Sequence, residues 1–416
     1  MQPAIRIIRL WIAMCNLCLS LTRSLLFRGR PSPKPTRVLV VREGYIGDLT
    51  VCIPALNHVR KAGESDPTIA LLTHPTSTSG GVVNSPAAEL LREWRLIDLV
   101  IYLPTRLGRP ARREIIAFGA DRVVFIPYTS TPFKSMMFQL IRLRLIGVTV
   151  RPEGFSMRSL SGWLRSLQHE GGMVPHQAVT ALGAVGVPAT EADRHPMPPV
   201  PVLQGASLTA GAALAGVGDR PVIVLGCSAK YWHKRWPAYY YVRVMDAIAA
   251  HRDVAWVILG AAQDAEAGAE IVRATKAFAI NLCGALRLPE TAELIRMSSL
   301  YLGNDTGLAH LCAALGIPTV TVFSGIHPPA VWDPWSSRNI TLRATVPCQG
   351  CGSERFCPSG DKRCLTDIKP ESVIEAAELA LSERFPPAPL VRGGSVCTDP
   401  GRPGHLAAPG AWPVCE

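Results

Sequence analysis

From Arg37 onward the chain repeats one pattern, in which a short, unbroken apolar run is followed by a longer stretch with apolar positions every three to four residues. The runs Arg37-Val-Leu-Val-Val-Arg42, Thr68 to Leu72, Leu99 to Leu103 and Arg122 to Ile126 are too short for helices and lack polar alternation, so they predict strands buried on both faces of a parallel sheet. Pro54 to Lys61 and Ala87 to Trp94 predict the intervening helices. After Gly147 the pattern weakens, and His195-Pro-Met-Pro-Pro-Val-Pro201 predicts an interdomain connection. A second series follows, with strands expected at Pro221 to Leu225, Ala255 to Leu259, Ala279 to Leu282, Leu300 to Gly303 and Thr319 to Phe323. Helices are expected at Pro237 to His251, Ala265 to Phe278, Glu290 to Met297 and Gly307 to Leu315, and a last amphipathic one at Glu371 to Glu383. The predicted organisation is an amphipathic helix over 1–30, α/β domains over 37–195 and 218–384, and a Pro- and Gly-rich disordered tail over 386–416.

The start of the chain is patterned differently. Residues Ile5 to Phe27 combine Trp11, Ile12, Leu17, Leu19, Leu21, Leu25 and Leu26 with Arg6, Arg9 and Arg23, which suits a helix lying in an anionic interface. A helix packed on the protein body fits the same residues. The uncharged run from Leu10 to Thr22 is shorter than the roughly 20 residues needed to cross a bilayer. Arg6 and Arg9 ahead of it also fit a secretory signal, but no convincing small-residue cleavage site follows. Pro31-Ser-Pro-Lys-Pro35 then forms a stiff linker.

Length and composition add bounds. At 416 residues the chain exceeds one ordinary core, which supports the two-domain reading, and a net charge of +11 predicts an anionic partner without choosing among phosphate groups, an acidic membrane or nucleic acid. Cys15, Cys18, Cys52, Cys227, Cys283 and Cys312 lie singly, as small buried hydrophobes do, and predict a reducing compartment.

Three constellations could carry chemistry. In Val40-Val-Arg-Glu-Gly-Tyr-Ile-Gly-Asp48 a strand runs into glycines and a carboxylate; Gly44 and Gly47 permit a tight turn, and Asp48 sits at the strand's carboxyl end, where doubly wound sheets place ligands. The simpler role for Asp48 is to cap the next helix. Only two of the glycines of a dinucleotide fingerprint are present, so NAD binding is disfavoured. The second constellation, Gly226-Cys-Ser-Ala-Lys-Tyr-Trp-His-Lys-Arg-Trp-Pro237, places Lys230, Lys234 and Arg235 in one loop, which suits a diphosphate, with Trp232 and Trp236 as candidate cleft walls. The third runs from Gly303 to Pro318. Asn304 or Asp305 caps a helix whose start at Thr306 and Gly307 offers free amides and the positive end of the helix dipole to a phosphate. His310, one turn in, faces the same ligand or is an ordinary core histidine.

These three blocks, in this order, resemble the ADP-heptose:lipopolysaccharide heptosyltransferases, glycosyltransferase family nine, over roughly Arg37 to Glu383. The resemblance implies the GT-B arrangement, two Rossmann-like α/β domains facing a cleft, the first holding acceptor and the second ADP-sugar. It implies that Asp48 is the general base of an inverting transfer, with Gly44 and Gly47 in the loop near the acceptor, and that Lys234 steadies the phosphates and leaving group. Ser228, Asp305, Thr306, Gly307 and His310 correspond to the donor-binding positions. No cofactor is required, and no Asp-X-Asp of the Mg²⁺-binding kind is present. The implied partners are an ADP-sugar and an anionic lipid-linked saccharide, with peripheral membrane contact left open and no nucleic acid; the implied location is the cytoplasm, at the inner face of the inner membrane if it docks there. Arg106 to Arg113, Arg142 and Arg144 fit an anionic acceptor. Two features depart from the family: the loop from Gly226 to Lys234 is longer, and Ala261-Ala-Gln-Asp264 replaces the acidic residue expected at the nucleoside, leaving Gln263 or Asp264 for the ribose.

Cys348, Cys351, Cys357 and Cys364 form a C-x2-C-x5-C-x6-C cluster that could satisfy a structural, non-catalytic Zn²⁺, with reduced thiols or disulfides as the alternatives. The competing functions are transfer or epimerisation of another nucleotide sugar, and nucleotide-sugar binding without catalysis.

Overall fold

The apolar run Arg37–Val41 forms β1, buried from Val38 to Val41, and its start is pinned by the Asp121 carboxylate, which accepts from the amides of Thr36 (2.8 Å) and Arg37 (3.1 Å). This computed structural model describes residues 2–62, 66–78, 81–103, 109–128, 131–155, 175–194, 196–353, 356–382 and 395–398. They fall into two compact units that part at Pro198/Pro199, inside the Pro-rich stretch.

In the first unit β1 is central to a four-stranded, all-parallel sheet of order β5-β2-β1-β6, with β2 at Thr68–Thr73, β5 at Leu99–Tyr102 and β6 at Arg122–Phe125. A small antiparallel hairpin, β3 (Thr76–Thr78) and β4 (Gly81–Val83), follows β2. Around the sheet lie α1 (Gln2–Leu26), α2 (Ile46–Thr50), α3 (Ile53–Lys61), α4 (Pro86–Glu93), α5 (Arg109–Phe118), α6 (Phe133–Leu145) and α7 (Gln177–Ala184). Helix α1 is packed on the body: Ile12, Cys15 and Leu19 join Leu39, Val123, Met136 and Leu140 in one core. No helix among the described residues is long and apolar enough to cross a membrane.

The second unit has a seven-stranded parallel sheet of order β13-β12-β11-β10-β7-β8-β9. Its strands are β7 (Val222–Gly226), β8 (Ala255–Ile258), β9 (Ala279–Asn281), β10 (Leu300–Asn304), β11 (Thr319–Val322), β12 (Asn339–Ala344) and β13 (Ser395–Thr398). Its helices are α8 (Gln204–Ala213), α9 (Ala238–Ala249), α10 (Ala265–Ala274), α11 (Leu288–Arg296), α12 (Gly307–Ala314), α13 (Arg363–Thr366) and α14 (Pro370–Leu381). Trp236, Tyr241, Met245 and Trp256 anchor its core.

Several boundaries differ from the sequence reading. Helix α10 ends at Ala274 and not Phe278, because Asp246 of α9 takes both the Thr275 hydroxyl (2.5 Å) and the Lys276 amide (2.8 Å) and draws the chain out of the helix. Residues 395–398 pair in parallel with β12, so the segment expected to be a disordered tail contributes an edge strand there; the rest of 383–416 lies outside the described residues. Cys18 is exposed and Cys283 partly so, whereas Cys15, Cys52, Cys227 and Cys312 are buried; burial pushes the Cys227 thiol up to about 11 and makes it a packing group, not a nucleophile.

Candidate functional site

In the second sheet the chain runs outward from β7 through β8 to β9, then returns to the other side of β7 with β10. This reversal is a topological switch point, and ligands of doubly wound folds bind at the carboxyl ends of the strands flanking it. The loops after β7 and β10 carry the second and third sequence blocks, so strand order alone brings them together.

Their junction is built for close approach. A Cβ on Gly303 would lie 2.4 Å from the Gly226 carbonyl oxygen, and one on Gly226 would lie 2.3 Å from the Tyr301 hydroxyl, so neither position tolerates a side chain. The Tyr301 hydroxyl donates to the Asn304 carbonyl at 2.9 Å. Asn304, fully buried, uses its whole amide as a brace: Oδ1 accepts from the Trp236 amide (3.0 Å), and Nδ2 donates to the carbonyls of Cys227 (2.9 Å) and Ser228 (3.2 Å). This fixes the ends of the Lys234 loop to the end of β10. Neither Asn304 nor Asp305 is the cap expected for α12; the N-cap is Thr306, with extended backbone at φ −144°.

Asp305 is turned instead toward Lys234, whose Nζ lies 2.8 Å from its Oδ2. His310 Nε2 lies 3.8 Å from Oδ1, and the imidazole meets the Trp332 ring edge-on. Burial acts to raise the Asp305 pKa, but Lys234, with His310 and His327, outweighs it and holds the carboxyl below its usual range. The Asp305 carboxyl is therefore ionised at neutral pH. An ammonium has three donors and Asp305 uses one, so Lys234 retains two for an oxyanion. Beside it, the first helical donation in α12 comes from Ala309 to the Thr306 carbonyl. The half-buried amides at Thr306, Gly307 and Leu308 thus precede the helix's own hydrogen bonds, as anion-binding helix starts do. Lys234, Asp305, Thr306, Gly307, His310 and the half-buried Ser228 are brought together.

Other expectations are corrected. Trp236 is no cleft wall: it is 2% exposed, and its indole donates to the Ile368 carbonyl at 3.0 Å. Trp232 is exposed, under the Lys362 ammonium. Arg235 donates to the Ala229 carbonyl within its own loop. Asp264 is turned back on the Ala261 amide at 2.9 Å, so of the two ribose candidates only Gln263 is exposed.

The first sheet also reverses at its centre, where β1 is flanked by β2 and β6, and the Gly44–Asp48 loop leaves that point. Asp48 does not cap the next helix, α3, whose N-cap is Cys52; it lies half-buried in the first turn of α2, where its Oδ2 accepts from the Tyr45 amide at 2.7 Å and closes the start of its own helix while the carboxylate stays accessible. Gly44 has φ +145°, and a Cβ there would sit 2.2 Å from Asp48 Cβ. Gly44→Ala should therefore displace the Asp48 loop, costing about 1–3 kcal/mol of first-unit stability; thermal unfolding checks it, and an unchanged melting temperature would contradict this account of the turn.

Sequence reasoning missed the polar network behind this loop. Glu43 Oε1 bonds His74 Nε2 (2.8 Å), Arg142 Nη1 (3.1 Å) and Gln139 Nε2 (3.3 Å). Burial alone would raise the Glu43 pKa; His74 and Arg142 reverse it and hold the carboxyl low. Arg142 is thus a buried structural cation, not the exposed acceptor-binding charge expected of it, while residues 104–108, with Arg106, lie outside the described residues. Arg42 is buried with its guanidinium 3.9 Å over the Tyr128 ring and donates to the Ile126 carbonyl. Its place next to Glu43 in a strand-end block was the available signal.

The cysteine cluster does not form the expected metal site. Cys348 and Cys364 pack on the second core, Cys351 is exposed and Cys357 contacts the Ser359 hydroxyl; all four thiols are free. Among the described residues no group of three His, Cys, Asp or Glu is placed to hold a metal ion, so the Zn²⁺ expectation is not carried forward.

Residues 175–358 match the profile of glycosyltransferase family 9 (heptosyltransferase), a span that contains Lys234, Asn304, Asp305 and the start of α12. The chain is 30% identical over 169 residues to lipooligosaccharide heptosyltransferase 2 of Haemophilus influenzae, covering 38% of this chain and 47% of that protein. Over residues 175–358 the chain is similar to glycosyltransferase family 9. It spans about half the length of the curated relatives it matches. Its fold is that of the family 9 glycosyl transferase from Veillonella parvula (TM-score 0.64, 19% identity, 83% of this chain and 97% of that one). The Escherichia coli ADP-heptose lps heptosyltransferase II is also similar in fold (TM-score 0.60, 20% identity, 83% and 98%).

Proposed function

We propose that the protein is an inverting glycosyltransferase that moves a heptose-like sugar from an ADP-sugar to a lipopolysaccharide-type acceptor at the cytoplasmic face of the inner membrane. The observation that carries this reading is Lys234, held 2.8 Å from Asp305 at the switch point of the second sheet beside the open amides of α12. A lysine with two spare donors and a helix start together match a diphosphate's charge and geometry. The names of two of the relatives, a lipooligosaccharide heptosyltransferase 2 and an ADP-heptose lps heptosyltransferase II, support the donor.

In the proposed step Asp48 removes the proton from an acceptor hydroxyl as that oxygen forms a bond to the anomeric carbon of the donor. The bond from that carbon to the diphosphate oxygen breaks, its electron pair leaves with ADP, and the configuration inverts. Lys234 and the amides of Thr306 to Leu308 stabilise the charge developing on the departing diphosphate, while Ser228 adds a hydroxyl at the same end. The scheme uses no metal.

A donor panel read by thermal shift tests it without acceptor. A ligand binding only the native state at 100 times its Kd stabilises by about 2.7 kcal/mol, so ADP should raise the melting temperature by several degrees and UDP or GDP by less. Stabilisation by UDP or GDP in preference to ADP would move the chain to another nucleotide sugar. No shift with any of the three would overturn the donor site, and ADP binding without transfer would mark a non-catalytic protein.

A further inference from the structure

Helix α1 has two apolar faces. Ile12, Cys15, Leu19 and Leu26 fall on one side and enter or abut the first unit's core. Leu10, Met14, Leu17, Leu21 and Leu25 recur three to four residues apart on the opposite side, and they are 64%, 55%, 59%, 55% and 81% exposed. Trp11 and the exposed Cys18 border that stripe. A helix packed on a soluble body carries polar groups on its outer side, yet no residue from Leu10 to Thr22 is charged. The neighbouring α6 repeats the arrangement: Met136, Leu140 and Leu143 are buried, while Phe138, Ile141 and Leu145, at helical spacing, are exposed.

We propose that these two outward faces form a docking surface for an anionic lipid bilayer. Contiguous exposed apolar surface of this kind marks an interaction site, and the charges around it select the occupant. Neither α1 nor α6 contains an aspartate or glutamate, and among the described side chains the exposed cations on or next to them are Arg28, Arg30, Lys134 and Arg144. Apolar side chains backed by cations suit the headgroup boundary of an anionic leaflet. A second copy of the chain docked on the same face would bring the two sets of cations together, which disfavours self-association. Because Ile12, Cys15 and Leu19 are committed to the core, α1 cannot leave the body to insert; the surface is rigid and the helix would lie in the interface with the unit above it. The inference deepens the proposed function, since a lipid-linked acceptor would be met at that surface, but it stands on the surface alone.

Co-sedimentation of the full chain with vesicles tests it, with no sugar donor present. The wild-type protein should pellet with phosphatidylcholine–phosphatidylglycerol vesicles, pellet less with phosphatidylcholine alone, and lose binding as salt rises. Leu17→Glu/Leu21→Glu should weaken binding about tenfold or more, since each substitution replaces an apolar side chain buried in the bilayer by a carboxylate, with an unchanged melting temperature because both side chains are exposed. Leu145→Glu on α6 carries the same expectation independently of α1. Equal pelleting of these variants and wild type would overturn the proposal, as would a wild-type dimer, dissolved by the same substitutions, that ignores vesicles. A donor-panel failure would leave this result untouched, so the two readings fail separately.

Discussion

Asp48→Asn should reduce sugar transfer by a factor of about 10²–10⁴ while ADP binding stays within experimental error. The expectation follows from separating the two things this carboxylate does. Its Oδ2 accepts the Tyr45 amide and so shapes the start of α2, a duty that an asparagine oxygen performs equally well. What the amide cannot do is accept a proton from the attacking hydroxyl. Asp48→Ala removes both, adding about 1 kcal/mol of lost capping to the loss of turnover. Transfer rates and ADP titrations on both variants, with melting temperatures as a control on the turn, give the comparison. If Asp48→Asn turned over at the wild-type rate, or if ADP affinity fell in step with the rate, Asp48 would not be the base.

The sequence made the sheets legible for a simple physical reason. Strands buried on both faces favour unbroken apolar runs, and Val38–Val41 of β1, Ile69–Leu72 of β2, Val222–Leu225 of β7 and Ala255–Ile258 of β8 are such runs. It concealed β12 for the converse reason. Asn339, Thr341 and Arg343 break the apolar run, yet all are buried: Thr319 donates to Asn339, Asn339 donates to Thr341, and the Arg343 guanidinium lies over Phe323 and pairs with Asp333. Polar residues that satisfy each other across neighbouring strands look like surface in a one-dimensional pattern. The donor block was legible as a set of positions, because glycines, a helix start and lysines in strand-end loops each have their own local signature. Partnerships were not. Whether Asn304 or Asp305 caps a helix or reaches the β7 loop depends on β10 lying next to β7, which follows from sheet order and from no spacing along the chain. The Glu43–His74–Arg142 network was hidden in the same way, its members coming from the loops after β1 and β2 and from α6.

Lys234→Ala should be damaging in two separable ways, and its partner tells them apart. Asp305 is 9% exposed and Lys234 is its close counter-charge. Removing the ammonium strands a buried carboxylate beside the His310 imidazole, whose Nε2 lies 3.8 Å away, which should destabilise the second unit by about 3–5 kcal/mol. Adding Asp305→Asn removes the stranded charge and should restore much of that stability, while ADP affinity, which needs the ammonium itself, stays lost. The pH dependence carries a sign that tests the cause. In the wild type the folded-state pKa of Asp305 is depressed, so its contribution is present above the unfolded carboxyl value of about 4 and is lost as pH falls through the lower folded value. In Lys234→Ala burial is no longer outweighed, the folded pKa rises, and the penalty exists only where the carboxyl is ionised. The stability gap between the two proteins should therefore be widest near neutral pH and close as the pH drops below about 4. A gap independent of pH would mean that the lysine acts through packing alone, and the ion pair would lose its place in the donor site.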